Sequence, residues 1–415
     1  MNRQHRLARG FTLVELMIAL AISMVIMLAL MTLFVNVSRN NTELTRTNQV
    51  IENGRFSLQL LEADVSHGGY WGGFAPKFDD LTLYGPAADV PKAVPDPCLV
   101  YDPVTWNPDY QSELIGIPMQ VYEIPSTVPT PALSVCATAS STSVNVVASP
   151  KASTDVLLVR HADTSDPSTP GNLDSCIPGT GGCPAAGEVY FQRSNCTTET
   201  TPNVLSMSAS AGAIAPFTLT ARNCTTPEPV RKLVSNLYYV RSYASQVGDG
   251  VPTLMRSTFS NGRFQAADAM IEGVEGFRIE LGVDNVSKSG ATLTTADLNA
   301  TAATVGTTPA GQATAIAWAD LTLLKTATNR GDGNPDTYVR CTTAAPCSAF
   351  QLANVVSAKI YVLARSLDVS PGYKDTKTYQ LGATTLGPFN DNYKRHLFTQ
   401  VVRLTNVSMR RETPN

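Results

Sequence analysis

Residues Gly10 to Val37 read GFTLVELMIALAISMVIMLALMTLFVNV. After Thr12 the run holds one charged side chain, Glu15, and contains no proline and no glycine. About twenty apolar residues in a helix rising about 1.5 Å each span a hydrocarbon core of about 30 Å. A carboxylate inside such a segment costs several kcal/mol unless a partner neutralises it. Arg3, Arg6 and Arg9 precede the run, and positive flanks stay on the cytoplasmic side. The run is too long for the core of a cleaved secretory signal, and no small-x-small cleavage site follows it. An ordinary signal anchor accounts for the hydropathy and the arginines. It leaves unexplained Gly10 before the run, Phe11 after it, and Glu15 four residues beyond Phe11.

Those remaining features resemble the type IV prepilin signal. The resemblance implies that prepilin peptidase cuts the Gly10–Phe11 bond and methylates the new amino terminus of Phe11. It also implies that Glu15 pairs with the terminal amine of a neighbouring subunit. Electrostatics agrees, because a cation and a carboxylate that are each expensive in an apolar medium become tolerable as a pair. Major pilins usually carry a proline and a glycine in this helix. Here Thr32 and Met24 stand at the matching positions, so a continuous helix is expected.

The pattern turns amphipathic after Asn36. Leu44, Ile51, Leu58 and Val65 recur every seven residues, with Leu61 beside them, while Glu43, Arg46, Glu52, Arg55 and Glu62 take the other face. The expectation is one helix that leaves the membrane, lays a stripe on a globular head and ends near His67. Gly68-Gly69 and Gly72-Gly73 supply the breakers. Thr47 and Gly54 interrupt any coiled-coil seam. The segment Glu52–Gly73, ending in Tyr70-Trp71-Gly72-Gly73, resembles the helix end of the PilW family of minor pilins. That family often places Gly-Cys after the aromatic pair, so no disulfide carries over to this point.

Beyond Gly73 the chain reads as β-rich. Phe74 to Lys151 is rich in Pro, Ser, Thr and Ala, which suggests long loops, short strands such as Val144–Val147, and no helical domain. Strands are expected at Asp155–His161, Glu188–Arg193, Phe217–Ala221, Lys232–Ala244, Pro252–Phe259, Val274–Val283, Val355–Leu363 and Leu397–Val407. Phe277, Ile279, Leu281 and Val283 alternate onto one face. Asn285–Thr314 reads as a loop or insertion, and Gln312–Thr328 as a short helix. Met270–Asp284, Val355–Ser366 and Val401–Asn406 also resemble the PilW pattern.

The 415 residues carry a formal charge of −3. Loss of a leader with three arginines moves it to about −6, which argues against a general nucleic-acid binder. All eight cysteines lie beyond the apolar segment, as disulfides in an oxidising compartment would require. No C-x-x-C occurs, and the four histidines do not fall at zinc spacing from the cysteines. Proximity suggests Cys341 with Cys347 and Cys176 with Cys183. Cys98–Cys136 and Cys196–Cys224 are then only the pairs left over, since sequence does not set connectivity.

No nucleophile elbow, zincin motif or P-loop is present, so no catalytic, cofactor or metal residues are assigned. Asp332, Asn334 and Asp336 alternate as in half a calcium loop, but Thr343 stands where a bidentate Glu belongs, which favours a polar turn. Arg330-Gly331-Asp332 reads as a chance tripeptide. Tyr70-Trp71 and Tyr238-Tyr239 read as core rather than as a ligand platform. Lys394-Arg395-His396 and Arg410-Arg411 read as a solvated strand end rather than a DNA contact.

The expected fold class is α+β: a long N-terminal membrane-spanning helix packed on a β-rich, pilin-like head. The division is a leader over 1–10, a transmembrane and assembly helix over 11–37, an amphipathic continuation over 38–67 and a periplasmic head over 68–415. The PilW resemblance implies a structural role in a tip complex that primes pilus growth, with no enzymatic activity. Its partners would be other minor and major pilins, a PilY-type tip adhesin, prepilin peptidase and the inner membrane. Two rival readings stay open, a type II secretion pseudopilin and a tip-displayed adhesin or DNA-uptake module.

Overall fold

The computed structural model describes residues 12–76, 91–129, 132–133, 146–169, 172–178, 184–209, 216–286 and 331–412. Helix α1 runs unbroken over Leu13–Val65. At about 1.5 Å per residue it is about 80 Å long. Its first half is exposed throughout, and burial begins only at Val50. Ser66 caps it, and a turn through Gly69 at φ +76° carries the chain into the head.

The larger sheet comprises nine strands among the described residues: β1 (Met119–Ile124), β2 (Thr154–Ala162), β3 (Ser175–Cys176), β4 (Val189–Arg193), β5 (Asn203–Met207), β6 (Val230–Arg241), β7 (Thr253–Ser260), β8 (Arg263–Phe264) and β9 (Asp268–Glu272). The long strand β6 is its spine and pairs antiparallel with β2, β3, β4 and β7 along different parts of its length. A second antiparallel sheet has the order β11-β10-β12-β15. These are Thr337–Val339, Val274–Val283, Val355–Arg365 and Arg395–Arg403. A small hairpin pairs β13 (Tyr379–Leu381) with β14 (Thr384–Leu386). Short helices α2 (Pro108–Gly116), α3 (Ala349–Ala353) and α4 (Thr405–Arg411) complete the architecture, which is α+β.

Two cores share the larger sheet. Leu157 and Val159 of β2, with Tyr238 and Val240 of β6, face the second sheet and meet Phe277, Ile279, Leu281, Ile360 and Val362. Leu58, Leu61 and Val65 of α1 enter the same core. The alternate residues Val156, Leu158, Leu237 and Tyr239 face the other way, into a cluster with Trp71, Trp106 and Leu114. Both faces of β2 are therefore buried, which explains its continuous apolar reading. Tyr238 and Tyr239 are both core residues, on opposite faces.

Several sequence expectations change. Leu44 is 61% and Ile51 38% exposed, so neither belongs to the docking stripe. The buried face is instead Val50, Gly54, Ser57, Leu58, Leu61, Asp64 and Val65. Leu58, Leu61 and Val65 of the expected stripe are buried, but toward the start of the contact the face is offset by a residue or more, with Val50 and Gly54 facing the head in place of Leu44 and Ile51. The segment 74–151 contains α2, set by Asn107 as N-cap and Pro108 in the first turn, and the strand β1. Phe217–Ala221 makes no strand beyond a bridge from Thr220 to Pro227. The last strand stops at Arg403, and Thr405–Arg411 turns into α4. Val146 and Val147 form no strand, while Val144, most of Asn285–Thr314 and all of Gln312–Thr328 lie outside the described residues.

Gly54 marks the point where α1 crosses β15. A side-chain carbon built there would overlap the ring of Phe398. A helix interior gives up about 1 kcal/mol for a glycine, and the close crossing explains its presence. Gly54→Leu is expected to cost about 1–3 kcal/mol by overpacking. Urea unfolding of the detergent-solubilised chain measures it, and an unchanged midpoint would mean that α1 does not lie on β15.

Candidate assembly site

The exposed half of α1 is built first from its own cap. Thr12 is the N-cap, and its Oγ1 accepts from the Glu15 backbone N–H at 3.2 Å. In return the Glu15 carboxylate accepts from the Thr12 N–H and from the Thr12 hydroxyl, both at 3.0 Å. This is a capping box, worth about 1 kcal/mol to the helix start. The T-x-x-E pattern of Thr12–Glu15 is the sequence signature of this cap. Gly10 and Phe11 lie outside the described residues, so the peptide bond between them has no described geometry.

Beyond Glu15 the helix presents Leu16, Met17, Ile18, Leu20, Ile22, Met24, Val25 and the apolar residues through Val37 with no head packed on them. One helix among the described residues is long and apolar enough to cross a membrane, and it is this one. A stripe of this size left in water is strongly unfavourable at about 25 cal/mol per Å². It therefore demands lipid or other helices.

The other half of α1 is locked to the head by polar as well as apolar contacts. Asp64 Oδ1 meets His161 Nε2 at 3.0 Å, and Asp64 Oδ2 accepts from Asn236 Nδ2 at 3.1 Å. The second ring nitrogen of His161 faces the carbonyl of Ala162 at 2.8 Å. Both nitrogens thus face acceptors, as an imidazolium requires. Burial opposes that charge, but the hydrogen bond and charge of Asp64 outweigh it and raise the His161 pKa. Nearer the membrane, Glu43 pairs with Lys394 at 2.5 Å and with Arg46 at 2.8 Å. Its pKa is lowered to about 2, chiefly by the Lys394 hydrogen bond. Asn53 donates to the Glu272 carbonyl at 3.0 Å. Sequence reading missed Asp64 and His161 as partners, because they are about a hundred residues apart.

Of the basic residues read as solvated, the three arginines are buried, while Lys394 is half-buried and His396 is exposed. The side chain of Arg395 is fully buried, and Arg410 and Arg411 are buried too. Arg395 donates to Glu275 at 2.5 Å, to Asp375 at 3.0 Å and to Asp391 twice at 2.6 Å. Its strand sits at a sheet edge, but the loop carrying Asp375 and Asp391 folds over it. His396 remains outside, edge-on to Phe398 with centroids 4.6 Å apart.

Asp332, Asn334 and Asp336 lie in a turn. Asp332 accepts from the Asn334 N–H, and Asp336 accepts from the N–H groups of Asn285 and Val286, each at 2.8 Å. Thr343 instead contacts Glu123. Among the described residues no three His, Cys, Asp or Glu side chains are grouped to hold a metal ion. Disulfides join Cys341 to Cys347 and Cys196 to Cys224. Cys98 and Cys176 are also disulfide-bonded, and Cys136 and Cys183 lie outside the described residues.

With this geometry in place, comparison with known proteins adds two matches. Residues 5–31 match the prokaryotic N-terminal methylation motif. Residues 237–406, from within β6 to the second residue of α4, match the model of type IV pilus-assembly protein W. The chain is a PilW-like, type IV prepilin-like protein. The two matches relate this PilW-like chain to type IV pilus assembly, a process whose proteins work with other pilus components. The families concerned are structural. The match spans the second sheet and β7 to β9, so the strands β9, β12 and β15 on which α1 packs lie within it, whereas β1, β2 and the Asp64 partners His161 and Asn236 precede it. No curated protein and no solved structure matches the chain.

Proposed function

We propose that this protein is a tip-complex minor pilin that primes pilus growth and enters the fibre through α1. Residues 1–10 are the leader removed by prepilin peptidase, and Phe11 becomes the methylated first residue. Residues 11–37 are the membrane and assembly segment, 38–67 carry it into the head, and 68–415 form the head. The head faces the periplasm while the helix sits in the inner membrane, and reaches the pilus tip after assembly. Its partners are other minor and major pilins and a PilY-type tip adhesin.

The observation that carries this reading is the unburied apolar half of α1, rigidly continuous with a half that is fastened to the head. One acid, Glu15, stands at its start. Packed helices bury the apolar stripe, and Glu15 pairs with the Phe11 amine of the adjacent subunit, which sets register. Until then the capping box keeps Glu15 hydrogen-bonded to its own chain. Mass spectrometry of the purified protein is expected to find a chain that begins at methylated Phe11. A chain that still begins at Met1 overturns the proposal. The same helix would serve a type II secretion pseudopilin; loss of twitching in a deletion strain supports the pilus, and loss of enzyme secretion supports the other machine.

A further inference from the structure

We propose that the turn Trp71-Gly72-Gly73 and strands β4 and β6 form a binding pocket for a phosphate group. Antiparallel register places Phe191 opposite Arg231. Arg193 is two residues along β4, so it shares that face and stands diagonally across from Arg231, within reach of a long side chain. Both arginines, with Glu228, Trp71, Gly72, Phe191 and Pro229, line a cavity of about 160 Å³. That volume suits one small tetrahedral anion and excludes a larger ligand body.

The two glycines make the room. Gly72 and Gly73 have φ of +60° and +83°. A Cβ on Gly72 would stand 3.1 Å from Arg231 Cδ, and one on Gly73 would stand 2.8 Å from Arg193 Nη1. Side chains at these positions would push against the two arginines. The PilW resemblance gives no reason for the second glycine, since the family often carries a cysteine there; the arginines supply one.

The charges are incompletely matched. Arg193 Nε donates to Glu228 at 3.0 Å, and the same carboxylate oxygen also accepts from Asn195 at 2.8 Å. Arg231 Nη1 donates to uncharged oxygens only, the carbonyls of Asp163 and Ser165 and the hydroxyl of Ser175. Asp166 feels that charge at longer range. Its guanidinium rests near the ring of Tyr70, 5.6 Å from the centroid. Two arginines and one carboxylate, Glu228, line the cavity itself, so its lining is net positive. The planar guanidinium fork matches the paired oxygens of a phosphate.

The test uses the full chain in detergent, titrated calorimetrically with inorganic phosphate and with glycerol 1-phosphate at constant ionic strength in chloride. One site is expected, weakened about tenfold or more in Arg231→Gln, as loss of a charged hydrogen bond implies. Arg193→Gln is expected to weaken it similarly and leaves the ties of Arg231 to its loop in place, so it serves if Arg231→Gln fails to fold. Binding of phosphate alone assigns the pocket to the free ion. Binding of both assigns it to a phosphate group borne on a larger molecule as well. Absence of heat with inorganic phosphate, or affinity unchanged in the folded variants, overturns the proposal.

Discussion

Glu15→Gln is expected to leave leader cleavage intact and to cut the protein recovered in sheared pili about tenfold or more. The variant separates two jobs of one side chain. A glutamine still accepts from the Thr12 N–H, so the capping box survives. It cannot neutralise an amine within a helix bundle. Removing one partner of a buried charge pair costs about 3–5 kcal/mol, far more than the cap contributes. Glu15→Ala loses both jobs and is expected to behave like Glu15→Gln, with slight further fraying of the helix start. Quantitative immunoblots of sheared pili and membranes provide the measurement. Wild-type incorporation of Glu15→Gln would show that the charge is not what sets incorporation.

The second large effect is expected in the head. Arg395→Met should destabilise it by about 3–5 kcal/mol. Glu275, Asp375 and Asp391 converge on this one guanidinium. Burial disfavours its charge, but the three carboxylates outweigh burial and hold the proton more firmly than usual. Without it, Glu275 keeps only the longer contacts to Arg365 at 3.8 Å and Lys151 at 3.9 Å. Asp375 keeps the hydroxyl of Tyr379 at 3.1 Å. Arg395→Lys restores a charge without the fork and is expected to fall between. Denaturant unfolding monitored by tryptophan fluorescence measures the loss, and a change under about 1 kcal/mol would contradict it. Because Lys394 beside it anchors Glu43 of α1, the same variant should loosen the helix on the head.

The sequence-level reading succeeded where the physics is local. An uninterrupted α1 follows from the absence of proline and glycine across its apolar half. The strands at Thr154–Ala162 and Val274–Val283 follow from dense β-branched and aromatic residues. It failed where the deciding partner is distant in the chain. Val50, Gly54 and Leu61 became the docking face because β12 and β15 present themselves there, and no periodicity within α1 records the position of another strand. Arg395 looked solvated because a basic run at a strand end normally is. Its carboxylates come from β10 and from a loop that returns over the sheet.

Taken alone, the order of residues determined the apolar helix, its lone acid and its capping pattern, since each depends on neighbours within a few positions. It also determined that the remainder is β-rich. Tertiary structure alone decided which side of α1 the head grips, why Gly54 is a glycine, and why Asp64 and Arg395 are buried with their charges met. The physical reason is range: helix formation is settled by contacts between residues three or four apart. Burial of a charge is settled by whichever oppositely charged group folding brings within a few ångströms.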